Sequence, residues 1–275
     1  MEVSLKILVI SDTHLGKTRW NGLGDRVFQR AFTLASESEF DVILHCGDIV
    51  EPKTEVSLEK GLEIFSQIPG KHHLWVAGNN DIEWTFGKSE IWQYTEVFSE
   101  LIESFGIHLL DEYPKIIGEY AFAGNYCFPD LSLWKPSIFK EEKYAQSFEE
   151  LYTKTNEFHI KRLRTTVNEM FTWSQNHFHS GLRMLGKELK KVIISHTVPS
   201  TELIIYGESA RYDHVNAFMG WDDSKSKKPL HTYDNVILQL CGHTHRHKVV
   251  KREGYCDLIN VSSKIEGEQP WVFEV

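Results

Sequence analysis

The chain has 275 residues, 41% of them hydrophobic and 25% charged, with a mean hydropathy of -0.34. This composition excludes the disordered and fibrous classes and supplies a sizeable core, and a single domain over 1–275 is expected. Thirty Lys and Arg against 39 Asp and Glu leave a formal charge of -9, so no global basic field exists to hold a polyanion, and nucleic acid is a disfavoured partner.

Met1 to Ile10 is apolar but short, carries Lys6 and runs straight into Ser11-Asp12, which fits a buried first strand and neither a signal peptide nor a membrane span. Leu5 to Ile10, Asp41 to Cys46, Leu74 to Ala77, Val192 to Ser195 and Val236 to Cys241 are short, β-branched-rich runs, the pattern of strands buried on both faces. Between the first three lie helical stretches from Asp25 to Ser38 and from Val56 to Phe65, the latter after Thr54, which offers a cap. This alternation implies parallel strands joined by right-handed crossovers. Lys88 to Phe105 reads as a further amphipathic helix ended by Gly106, followed by strand-like runs at Ile107 to Leu110, Lys115 to Ile117 and Tyr120 to Ala123. From about Leu131 to Leu189 apolar residues such as Tyr144, Phe148, Leu151, Leu163, Val167 and Met170 recur at helical spacing. A helical insertion is expected there, as a packing cap or a substrate-covering lid. Ser224 to Pro229 reads as a solvated loop, and short strand-like runs resume from His247 to Val275. The four cysteines, Cys46, Cys127, Cys241 and Cys256, have no C-x-x-C spacing and read as free thiols in a reducing cytoplasm.

Five of these runs end in polar residues of one chemical kind. Ile10 leads into Ser11-Asp12-Thr13-His14, Cys46 into Gly47-Asp48, Ala77 into Gly78-Asn79-Asn80-Asp81, Ile194 into Ser195-His196, and Cys241 into Gly242-His243-Thr244-His245. The carboxyl ends of strands in an α/β sheet share one edge, so these groups converge although they are distant in sequence. Imidazole, carboxylate and amide donors without a thiolate suit divalent metals such as zinc, manganese or iron. In an extended chain Asp12 and His14, like His243 and His245, would point to one side with Thr13 and Thr244 pointing away. Glycine before Asp48, Asn79 and His243 permits tight turns or close approach.

Taken together these residues resemble the calcineurin-like metallophosphoesterase family, whose signature is Asp-x-His, Gly-Asp, Gly-Asn-His-Asp or Glu, a lone His, and Gly-His-x-His. The resemblance spans Ile7 to His245 and implies a four-layer α/β/β/α sandwich with a dinuclear metal centre. It assigns Asp12, His14 and His245 to one metal, Asn79, His196 and His243 to the other, and Asp48 as the bridge. The implied activity is hydrolysis of a phosphodiester or phosphomonoester, with a metal-bridging water as nucleophile. One position departs from the pattern. Where many members carry a His that serves the leaving group or phosphate, this chain has Asn80, which donates a hydrogen bond but supplies no proton near neutral pH.

Substrate contacts follow from position alone. Arg19 comes after the first motif, and Tyr206, Arg211 and His214 come after the fourth; Arg211 is a candidate phosphate clamp. Trp20, Trp84, Trp134 and Trp221 stand in loop-like segments, where stacking on a ligand competes with simple packing. His72, His73, His177, His179 and His247 read as structural or surface histidines. Two other functions fit the same fold: a metal-bound scaffold that binds a protein partner, and a nuclease subunit acting on nucleic-acid ends.

Overall fold

The computed structural model describes residues 4–17, 22–85, 93–134, 147–163, 165–204, 218–226, 228–262 and 270–275. The buried runs pair side by side, as their alternation with helices predicts. β1 (Lys6–Ile10), β2 (Val42–His45), β3 (His72–Trp75) and β4 (Ile107–Leu109) lie parallel, in register Ile7 with Val42, Val42 with His72 and His73 with Ile107. A second sheet contains β5 (Lys115–Ile117), β6 (Tyr120–Asn125), β7 (Lys190–Ser195), β8 (Val236–Cys241), β9 (Lys248–Val250) and β10 (Asp257–Asn260) in the order β5-β6-β7-β8-β10-β9. Its four inner strands are parallel and its two edge strands antiparallel. β11 (Trp271–Glu274) returns to the first sheet and pairs antiparallel with β1.

Strand side chains alternate between faces, and here each face meets a different partner. Ile7, Val9, Val42, Leu44, Leu74 and Val76 pack against Phe122, Val192, Ile194, Leu238, Leu240 and Ile259, forming one apolar layer between the sheets. The intervening Leu8, Ile10, Ile43 and Trp75 face helices α1 (Leu23–Glu37), α2 (Leu58–Ser66) and α4 (Tyr94–Ile102), with the short α3 (Asn79–Glu83) following β3. On the far side Ala123 and Ile193 meet Phe178 and Leu182 of α6 (Val167–Met184), which follows α5 (Phe148–Leu163). The result is helices, sheet, sheet, helices. The two helices α5 and α6 fall within the stretch expected to be a helical insertion.

Local details differ from the sequence reading where a nearer cap was available. α2 is capped by Ser57, whose hydroxyl accepts the Lys60 N–H, while Thr54 donates to the Glu51 carbonyl. Gly22 precedes α1 in the left-handed conformation. The packing role of the tryptophans holds for those described: Trp221 is fully buried in the α6 layer, and Trp84 and Trp134 pack against apolar clusters. Cys46, Cys127 and Cys241 are buried free thiols and Cys256 is a half-buried one. Among the described residues, no helix is long and apolar enough to cross a membrane.

Phe122 is fully buried between the sheets. Phe122→Ala is expected to cost about 3–5 kcal/mol, the range for a large aromatic removed from a core. Urea denaturation measures this, and a loss below about 1 kcal/mol would show that the sheets do not depend on this layer.

Candidate metal centre

The parallel strands of both sheets run out at one edge, and backbone hydrogen bonds tie the loops that follow into a single frame. Asp12 N–H donates to Gly47 O (2.9 Å) and His14 N–H to Asp48 O (3.0 Å), joining the first two motifs. Gly242 N–H donates to His196 O (2.9 Å), and His196 N–H to Asn125 O (3.3 Å). The His243 N–H meets both carboxylate oxygens of Asp12 at 3.0 Å, which carries the frame across from one sheet to the other.

The side chains converge by a different route from the one that strand alternation suggests. Asp12, His14, Asp48, His243 and His245 all have positive φ, between 44° and 73°. They are single left-handed residues in loops, beyond the strand ends at Ile10, His45 and Cys241. Asp tolerates this region better than most residues, and so does His. Thr13 and Thr244 do turn away: Thr13 Oγ1 lies 3.1 Å from His45 Nε2 and donates to Ile49 O, and Thr244 Oγ1 accepts from Asn260. Gly47 and Gly78 are needed for close approach. A Cβ on Gly47 (φ 95°) would fall 2.3 Å from His196 Nδ1, and one on Gly78 would fall 2.1 Å from Asp48 Oδ1.

Two groups of donors result. Asp12, His14 and His245 form one, and Asp48, His196 and His243 the other; within each group the candidate ligand atoms lie within 4.8 Å of one another. Asp48 faces both, with Oδ2 3.5 Å from His14 Nε2 and Oδ1 3.5 Å from His196 Nε2. Asn79 Oδ1 joins the second group, 3.1 Å from His196 Nε2.

The imidazoles show why these groups suit cations. His196 Nδ1 is held by the Cys46 carbonyl (2.8 Å) and His243 Nε2 by the Phe218 carbonyl (3.1 Å), which places a proton on each of those nitrogens. The opposite nitrogens, His196 Nε2 and His243 Nδ1, then face each other at 3.1 Å. Two neutral lone pairs at that distance require a positive charge nearby. Burial opposes a charge on His196, but the Asp48 and Asp12 carboxylates outweigh it and raise its pKa to about 9. Burial, together with the neighbouring His196, pushes His243 down to about 4. A proton can thus occupy the place that suits a divalent cation. A metal would displace it.

Several residues support the donors, among them Asp81, which the sequence places in the third motif without a ligand role, and Glu51 and His45, which it does not single out. Asp81 accepts three backbone N–H groups, from Asp48 (2.8 Å), Ile49 (3.0 Å) and Gly78 (2.9 Å), so its carboxylate shapes the loop that presents Asp48. Burial and the nearby Asp48 charge push the Asp81 carboxyl up to about 8. Glu51 Oε2 lies 2.9 Å from His14 Nδ1 and 2.7 Å from Lys17 Nζ. His45, fully buried and with its pKa lowered to about 3 by burial, is neutral; it accepts the Gly47 N–H on Nδ1 and meets Thr13 through Nε2. Asp81 closes the third motif, and Glu51 stands three residues beyond Asp48, where only that proximity marks it in the sequence.

Asn80 is engaged within the frame. Its backbone N–H donates to Asp48 Oδ1 (2.9 Å), its Oδ1 accepts from Asn79 (2.8 Å), and its Nδ2 lies 2.9 Å from His14 Nδ1. The candidates Arg19, Trp20, Tyr206, Arg211 and His214 lie outside the described residues. The histidines read as structural are so placed: His73 Nε2 meets the Ile68 carbonyl, His177 Nε2 the Asp111 carbonyl, and His247 packs on Trp271.

Asp81→Asn is expected to leave one of three buried N–H groups facing an amide NH2, at a cost of about 1–3 kcal/mol, and to lower metal retention by loosening Asp48. Thermal melts and elemental analysis of the variant test this; an unchanged Tm with unchanged metal content would remove Asp81 from the frame.

The pattern of the calcineurin-like phosphoesterase family matches residues 5–247. None of the curated proteins matches the sequence. Two solved structures are similar in fold. One is phosphopantetheinyl hydrolase from Mycobacterium tuberculosis, at 16% identity and a TM-score of 0.67, covering 100% of this chain and 97% of that one. The other is a dimetal phosphatase from Danio rerio, at 14% identity and a TM-score of 0.53, covering 95% of this chain and 88% of that one. With the family pattern matched over most of its length, the chain belongs to the calcineurin-like phosphoesterases.

Proposed function

We propose that the protein hydrolyses a phosphate ester at a dinuclear metal centre, with Asp12, His14 and His245 holding one cation, Asn79, His196 and His243 the other, and Asp48 shared between them. The observation that carries this reading is the placement of Asp48, whose two oxygens each stand 3.5 Å from an imidazole of a different donor group. The donor chemistry, nitrogen and oxygen without sulfur, fits manganese, iron or zinc. When bound, such a pair supplies an activated water and a Lewis acid that stabilises charge in an in-line displacement.

The chain's own residues set up that chemistry. The Cys46 and Phe218 carbonyls fix the tautomers of His196 and His243, so that the correct nitrogen faces the centre. Asp81 and the Asn80 N–H hold Asp48 from either side. Phosphate charge is met by the centre, so the negative net charge is no obstacle. Asn80 donates hydrogen bonds to the phosphate or the leaving group without protonating it, which favours diesters or esters with leaving groups of low pKa. Arg211 is the proposed phosphate clamp, and the helices within 131–189 the proposed cover. The names of the two structural neighbours, a hydrolase and a phosphatase, agree with phosphoester hydrolysis. Four free cysteines suit a reducing cytoplasm.

Elemental analysis of the purified protein is expected to find about two metals per chain, with hydrolysis of bis-p-nitrophenyl phosphate under added Mn²⁺ abolished in Asp48→Ala. A metal-free protein inactive with every divalent ion tested would replace this reading with a protein-binding scaffold. The second expectation concerns leaving groups: wild type hydrolyses bis-aryl phosphates faster than alkyl monoesters, and Asn80→His narrows the ratio, general acids being worth roughly 10²–10⁴ in rate. A higher rate on the alkyl monoester in wild type would overturn the preference assigned to Asn80.

A further inference from the structure

A cavity of about 420 Å³ opens between α6 and the segment from Asp222 to Tyr233, on the outer side of the second sheet. No residue that lines it belongs to either metal-ligand group. One wall is a single face of α6, where Thr172, the neighbours Gln175 and Asn176, His179 and Arg183 recur with helical spacing. From Thr172 to Arg183 that wall is roughly 16 Å long at the α-helical rise. The opposite wall brings Lys228, which lies 3.8 Å above the Tyr233 ring.

The polar groups of this cavity divide by charge along its length. At one end stand Arg183 and Lys228, neither of which makes an ion pair among the described residues. His179 feels both: burial and then the charges of Arg183 and Lys228 lower its pKa, and its Nδ1 shares a hydrogen bond with the Tyr233 hydroxyl (2.8 Å). At the other end Asp222 is matched by Lys225 (3.4 Å), and Asp130 accepts the Ser132 N–H. Gln175, only 9% exposed, lines the cavity, and its Nε2 has no hydrogen-bond partner among the described residues. A buried amide donor left unpaired costs about 1–3 kcal/mol, so its persistence in the same cavity as two cations that have no carboxylate partner among the described residues points to an acceptor-rich ligand.

We propose that this cavity is a second ligand site, which takes the phosphate group of a small phosphorylated molecule between Arg183 and Lys228, with the rest of the ligand along Asn176, Gln175 and Thr172. A guanidinium and an ammonium are the side chains that suit a phosphate dianion. The polar amide and hydroxyl wall suits hydroxyl groups rather than an apolar tail. The site stands apart from the metal centre, yet Ser174, beside Gln175, donates to Asn125 Oδ1 at the end of β6, and Asn125 O accepts from the His196 N–H.

The test follows the His179 ring and Gln175 side-chain amide resonances by NMR in the full-length protein, titrated separately with inorganic phosphate and with glycerol 3-phosphate. Saturable shifts of both groups are expected. In Arg183→Ala/Lys228→Ala, two exposed positions, binding should weaken at least tenfold, about 1.4 kcal/mol, while bis-p-nitrophenyl phosphate hydrolysis stays unchanged. Tighter binding of glycerol 3-phosphate would identify a phosphorylated organic ligand, and tighter binding of inorganic phosphate the hydrolytic product; both support the site. No saturable shift with either probe up to about 10 mM, or the same affinity in the double variant, would overturn it.

Discussion

Asp12 and Asp48 lie at the edge where the two sheets meet, 1% and 2% exposed, where burial by itself opposes the charge of each. Burial raises the Asp12 pKa, and the Asp48 charge raises it further. Two carboxylates brought this close and this deep require positive charge beside them, and the chain surrounds them with four imidazoles and directed N–H groups. Much of the local structure follows from that requirement. The strands deliver the loops, the glycines allow the loops to touch, and the carbonyls of Cys46 and Phe218 aim the rings. A protein assembled around such a cluster is organised for cations.

The fold was legible in the sequence because the core strands are short, β-branched and separated by helical periods. Alternation of Ile7, Leu8, Val9 and Ile10 between the sheet–sheet layer and the α1–α2 layer is a direct reading of period two. The candidate donors were legible for a related reason, since parallel strands must end together. What the sequence did not disclose was conformation. Asp-x-His and His-x-His read naturally as extended segments, yet all four of these residues turn left-handed, because their neighbours' backbone groups are committed across loops, as between His14 N–H and Asp48 O. The supporting roles of Asp81, Glu51 and His45 were hidden for another reason: each acts on backbone or on another side chain, at a distance in sequence that no local pattern encodes.

The left-handed residues also bear on stability. Each non-glycine residue in that region costs roughly 1–2 kcal/mol, so five of them approach the whole stability of an ordinary domain. The strain of these five is gathered at one edge, while the opposite requirement, dense apolar packing, is met by the layer from Ile7 to Ile259 and by the helical layers outside it. The scaffold holds the chemistry in a conformation that the loops alone would not keep.

β11 lies antiparallel against β1, with Lys6 opposite Glu274, and the Leu5 and Val275 backbones exchange two hydrogen bonds. During synthesis β1 therefore waits for residues made more than 250 positions later before this edge is covered. The donor groups likewise draw on Asp12 and on His245. Such long sequence separations make folding slow and late. Until β11 arrives, the exposed edge of β1 is open to pairing with another nascent chain. The donor groups are correspondingly complete only once His245 has been made, and folding yield should depend on how well that interval is protected as well as on the final stability of the sandwich.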